Sequence, residues 1–263
     1  MLLAWFHTFS SAQIGSMLLL VGLSVSTIIP LLVRRALKIE FDEHFAKGAE
    51  EAFKLFISLS LLLLAFCMVR AQGDYRGAED IVGREGTVML KLDRAYQSFG
   101  TADTDELRQV LRSYADHLVK DEWAQLATGQ RATSATEDLR AMSLVSKQLE
   151  PETPEQQVAR SEIIQSVNQL NDLREARISA SLAKLPAVFW YAISTALSFL
   201  MVFGWLQSPL SKMVTYVGGV TCGVCLMLTV LISTSGIFSG EHAVSSEPIR
   251  NALAQMGKLE AGS

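Results

Sequence analysis

The stretch LPAVFWYAISTALSFLMVFGWLQSPLS, residues 185–211, holds no Asp, Glu, Lys or Arg over 27 positions. A bilayer's hydrocarbon core of about 30 Å is crossed by roughly 20 helical residues, so this segment is long enough to span it with residues to spare. On its C-terminal side only Lys212 intervenes before residues 213–240, another 28 uncharged positions. On its N-terminal side lies a charged region, and beyond that residues 55–69, uncharged for 15 positions and closed by Arg70. That run reaches 18 residues if it starts at Ala52 and Lys54 snorkels to the headgroups. Residues 13–33 complete the set, so the predicted spans are 13–33, 52–69, 185–207 and 213–237. Trp5, Trp190, Tyr191, Trp205 and Tyr216 sit near their ends, where interfacial aromatics belong.

Charge is segregated around this pattern. Of the 50 Lys, Arg, Asp and Glu residues, 34 lie in 70–184, as 15 basic and 19 acidic, so the flanks balance at eight of each sign. The net charge of −4 therefore belongs wholly to the middle region. Such a layout excludes a soluble enzyme with one mixed core, and equally a disordered or collagen-like chain. The predicted organisation is a membrane hairpin over 1–69, an extramembrane domain over 70–184, a second hairpin over 185–240 and a tail over 241–263. Residues 1–12 carry no Lys or Arg, unlike a secretory signal, so the first span reads as a retained anchor. Two spans on each side put the termini and the middle domain on one side of the membrane. The positive-inside count favours the cytoplasm for that side by eight to six.

The middle domain reads as helical. Nothing in it alternates with period two, and its only prolines are Pro151 and Pro154. Leu107, Leu111, Tyr114 and Leu118 recur at helical spacing behind the acidic start Asp103 to Glu106. A break at 129–134 precedes a shorter helix from Thr136. Thr153-Pro154-Glu155-Gln156 is a capping box, and the stripe Ile163, Val167, Leu170, Leu173 runs on toward Leu185, which predicts one helix continuing into the membrane. Residues 74–99 are expected to prolong the second span, with Gly77, Gly83 and Gly86 marking a bend or the close approach of a neighbour.

Chemical motifs are scarce. His7, His44, His117 and His242 have no second ligand at i+3 or i+4, and there is no phosphate loop or nucleophile elbow, so no enzyme activity, metal or cofactor is expected. Cys222 and Cys225 have a redox spacing but lie within an apolar span, where small-residue packing is the simpler role. Thr215, Gly219 and Gly223 line one side of that span, for helix packing within the subunit or for a subunit interface. In the second span, Phe56, Ser60, Leu63 and Cys67 form one face. If subunits surround an axis, that face lines a narrow apolar pathway; otherwise the serines bond back to the preceding turn and the phenylalanines face lipid. No Asp or Glu interrupts a span, which disfavours proton-coupled transport.

Several local sequences, in order, resemble the bacterial bestrophin-like family. They are Arg84-Glu85 after the second span; Leu111 to Ala115 and Asp121-Glu122-Trp123 in the middle domain; Leu170 to Arg177; Leu185 to Trp190; and Phe238-Ser239-Gly240 followed by Val244 to Pro248, where Glu247 and Pro248 close the pattern. The resemblance covers roughly residues 55–254 and departs at Thr234 to Ile237. It implies an all-α membrane protein with four transmembrane helices and a helical domain between spans two and three. It also implies a homopentamer in the bacterial inner membrane, with cytoplasmic termini, a vestibule and a neck of bulky apolar residues from the second span. Glu79, Asp80, Arg84 and Glu85 would then form the vestibule mouth, or else serve as exposed salt-bridge partners. The expected function is an oligomeric passive channel for small inorganic ions, with the lipid bilayer and further copies of the chain as partners and no nucleic acid. The alternative is a membrane-anchored interaction or sensory scaffold that does not conduct.

Overall fold

The computed structural model describes residues 10–38, 43–126, 130–183, 185–207, 210–240 and 242–261; Trp5, His7, Gly129 and Lys184 lie outside the described residues. Every regular element among them is helical. In order these are α1 (Ser11–Leu23), a π-turn (Ser24–Ile28), α2 (Ile29–Leu37), α3 (Glu43–Phe99), α4 (Ala102–His117), a second π-turn (Leu118–Glu122), α5 (Trp123–Leu126), α6 (Thr133–Gln148), α7 (Pro154–Leu182), α8 (Ala187–Trp205), α9 (Leu210–Thr234) and α10 (Glu247–Ala261). Four helical stretches are long and apolar enough to cross a membrane, and they coincide with the four predicted spans. Two compact units emerge: one from 1–73, 184–236 and 240–242, the other from 74–183, 237–239 and 243–263.

α3 runs unbroken for 57 residues, so the second span does extend outward as its own continuation. It ends at Gly100, whose φ of 70° is the left-handed conformation that stops a helix. The cap at Thr153 forms as the sequence suggests, accepting a bond from the Gln156 amide at 3.1 Å. One expectation fails. α7 does not continue into the third span: Ala183 is extended, and Pro186 caps a new helix. Proline disfavours helical geometry in the residue before it and has no amide to join the ladder, so the apolar stripe crosses a chain break.

In the first unit, Phe53, Leu64, Cys67, Ile193, Leu200, Val217, Val224 and Leu231 form the core. α1 and α9 meet closely at Gly22, where a Cβ would stand 2.8 Å from the Cys225 sulfur. Beside it Thr221 Oγ1 donates to Ser26 Oγ at 2.9 Å, inside the first π-turn. In the second unit a larger apolar core includes Met89, Leu92, Tyr96, Leu111, Tyr114, Leu118, Met142, Ile163 and Leu170.

Candidate functional site

Within the apolar core of the second unit sits a closed group of charges. Glu85 on α3, Glu122 at the end of the second π-turn, and Arg177 on α7 have no solvent exposure, and Arg174 has 3%. Arg177 Nε donates to Glu85 Oε2 at 2.8 Å, and its Nη2 reaches Glu122 Oε1 at 2.8 Å. Arg174 donates to Glu122 through Nε at 3.2 Å and through Nη2. Its Nη2 also reaches Thr136 Oγ1 at 2.9 Å. Tyr114 OH donates to Glu85 at 3.3 Å, and the Ala132 amide donates to Glu122 at 3.2 Å. The Arg177 guanidinium lies 5.4 Å from the Trp123 ring centre. Two carboxylates and two guanidiniums cancel, which is the condition for tolerating buried ions.

The electrostatics follow from that arrangement. Burial alone would push the Glu122 carboxyl up, but hydrogen bonds and charge from Arg174 and Arg177 outweigh it and hold Glu122 below the usual carboxylate range. Burial would lower both arginines, yet Glu122 raises Arg174 and Glu85 with Glu122 raises Arg177. Burial, with Glu85 beside it, pushes the Tyr114 hydroxyl well above its ordinary value, so it stays a neutral donor. Arg108 and Asp93 form a separate buried pair at 2.9 Å.

The sequence motifs converge on this group. Trp123 packs edge-on to Phe238, with ring centres 5.6 Å apart, and donates from Nε1 to the Val244 carbonyl at 3.3 Å. Gly240 has φ 89°, a left-handed conformation at the end of the Phe238-Ser239-Gly240 segment. The Glu247 amide donates to Ser245 Oγ, and Gly86 lies under Pro248, whose carbonyl oxygen would be 2.8 Å from a Cβ there. Asp121 accepts from Ser134 at 3.1 Å. Thus Asp121, Glu122, Trp123, Ser239, Gly240, Glu247 and Pro248 belong to segments that fix the C-terminal end of the chain onto the buried charges. Only Gly86, of the three glycines singled out on α3, meets a neighbour; Gly77 and Gly83 face open space.

The four residues assigned to a vestibule mouth separate. Asp80 and Arg84 are exposed and form an i,i+4 pair at 2.7 Å, and Glu79 is exposed beside them. Glu85 is instead sealed in the charge group, because on α3 it lies on the face that meets Tyr114 and Arg177.

The second-span face is also reassigned. Phe56 stacks on Phe199 and Phe203, with ring centres 4.9 and 5.4 Å apart. Ser60 and Cys67 are buried, and Leu63 packs on the core of the first unit. Small and polar atoms face neighbouring helices here, so Phe56, Ser60, Leu63 and Cys67 do not present an open surface. The open face is Leu55, Leu59, Leu62, Phe66 and Val69, exposed by 50 to 73%. Its 4-3-4-3 spacing is the seam of a helix that supercoils about partners, and it was legible in the sequence. Thr215, Gly219 and Gly223 are exposed too, with nothing near either glycine, so they do not pack helices within this unit; Val217, Thr221, Val224 and Cys225 take that side. Among the described residues no group of three or more His, Cys, Asp or Glu is gathered for a metal ion.

Comparison with known proteins agrees with these features. Solved structures with the same fold include a bacterial bestrophin homologue from Klebsiella pneumoniae, 12% identical, with a TM-score of 0.67 over 92% of this chain and 98% of that one. A single-site variant of that homologue matches at 12% identity and a TM-score of 0.67 over 93% and 98%. A crystal structure of a membrane protein, 11% identical, matches at a TM-score of 0.68 over 92% and 98%. Nothing among the curated proteins matches. The model of the Bestrophin-like domain matches residues 20–249, taking in every motif from the second span to Pro248, and the chain belongs to that family.

Proposed function

We propose that the protein is an oligomeric passive ion channel, with copies of the chain arranged around an axis faced by the open stripe of α3. The observation that carries this reading is that stripe: Leu55, Leu59, Leu62, Phe66 and Val69 recur with the 3.5-residue period of a helix packed about others, and no helix of the first unit covers them. Rings of leucine and phenylalanine narrow a pathway and gate it by dewetting, so the neck sits at Leu59, Leu62 and Phe66. Beyond it, Glu79, Asp80 and Arg84 supply charge to a vestibule mouth. The family supports five copies, an inner-membrane location and a cytoplasmic helical unit.

Reconstitution into liposomes tests this. Ion flux that rises with protein content, together with a ring of subunits seen along the membrane normal, is expected. A monomer in detergent with no flux at any voltage would overturn it and leave a non-conducting scaffold.

A further inference from the structure

In the second unit, α6 and α7 border a groove of about 350 Å³, large enough for a small organic molecule. Its wall includes Arg131, Arg140, Asn168, Asn171, Arg174 and Glu175. Arg131 and Glu175 satisfy each other through two parallel bonds of 2.6 and 2.7 Å, which spends the only acid in the wall. The remaining polar groups are donors without acceptors. Arg140 is exposed and makes no ion pair among the described residues, and the carboxamides of Asn168 and Asn171 make no hydrogen bond there.

Arg174 is the informative member, because it is 97% enclosed. Its Nε and Nη2 are held by Glu122, Thr136 and the Ala132 carbonyl, but Nη1 has no acceptor. Nη1 is also absent from the sealed, unpartnered atoms, among which Arg177 Nη1 does appear. The guanidinium is therefore locked on one edge, with its free N–H edge at the groove wall. Fixing a donor in advance removes the ordering cost a ligand would otherwise meet.

We infer that this groove binds a small anion bearing carboxylate or phosphate groups, held between Arg174 Nη1 and Arg140 with the carboxamides of Asn168 and Asn171 completing its acceptors. Planar guanidinium edges suit both oxyanions. The site is independent of conduction.

Calorimetric titration of the full chain in detergent at low ionic strength, with citrate and separately with pyrophosphate, tests it. Saturable binding of citrate alone identifies a carboxylate site; binding of pyrophosphate, alone or with citrate, identifies an oxyanion site that takes phosphate. Arg140→Gln weakens the bound probe by about tenfold. Glu175→Gln frees Arg131 and tightens it, a change that damage to the fold would not produce. Arg94→Gln, on α3 away from the groove, leaves the titration as it is. No saturable heat with either probe, an unchanged titration in Arg140→Gln, or equal weakening by Arg94→Gln overturns the assignment.

Discussion

Arg177 and Glu85, 92 residues apart in the chain, are joined by a 2.8 Å hydrogen bond in which neither side chain meets solvent. Such a pair contributes little net stability over an apolar replacement, but losing one partner strands the other's charge. Glu85→Gln or Arg177→Met alone should cost about 3–5 kcal/mol. The double variant leaves Glu122 with Arg174 and should recover a large part of that loss. Unfolding of the three variants in detergent measures it, and a strictly additive double variant would sink the pairing argument.

Acid sensitivity follows from Glu122. Its folded value is depressed, so its contribution is fully present above the unfolded carboxylate value near pH 4.5 and is lost as pH falls through the folded value. At the alkaline end Tyr114 is raised, so stability falls once the pH exceeds about 10, where the unfolded tyrosine ionises and the folded one does not. Unfolding midpoints across pH should show both limbs, and Glu122→Gln, although less stable at neutrality, should lose less on acidification.

Two glycines on one helix should respond oppositely to alanine. At Gly86 the new Cβ would meet the Pro248 backbone at 2.8 Å, forcing the C-terminal segment away at about 1–3 kcal/mol. At Gly77 nothing lies within 4 Å, and alanine should stabilise by roughly 0.5–1 kcal/mol. Thermal unfolding, with limited proteolysis at α10, separates the two.

The two faces of α3 should divide stability from conduction. Phe56→Ala removes a ring stacked on Phe199 and Phe203 and should destabilise by about 3 kcal/mol. Leu62→Ala and Phe66→Ala, on the open face, should change liposome flux while leaving subunit unfolding within about 1 kcal/mol. Flux that follows Phe56 and ignores both open-face variants would return the pore to the inner face.

How much of this was legible depended on which physical rule acted locally. The four spans could be read because hydrocarbon excludes charge over a fixed length, and the Thr153 cap because its bond spans three residues. Glu85 and Arg177 could not be paired, since a charged residue on a helix looks like a solvated one until the partner helix is in place. The inner and outer faces of α3 were misjudged by weighting polar atoms, Ser60 and Cys67, over the 4-3-4-3 recurrence of Leu55 to Val69. The break before α8 was signalled by Pro186 and hidden by the apolar stripe running across it.

The π-turn Ser24–Ile28 carries one residue more than the α-helical spacing needs, and each helical residue turns the chain by about 100°. Removing one residue from this turn would rotate α2 by that angle and swing Arg34 off the Gln207 carbonyl it now reaches. The first span thus tolerates exchange of side chains far better than any change in its length, so insertions and deletions in this segment should be rare while substitutions accumulate.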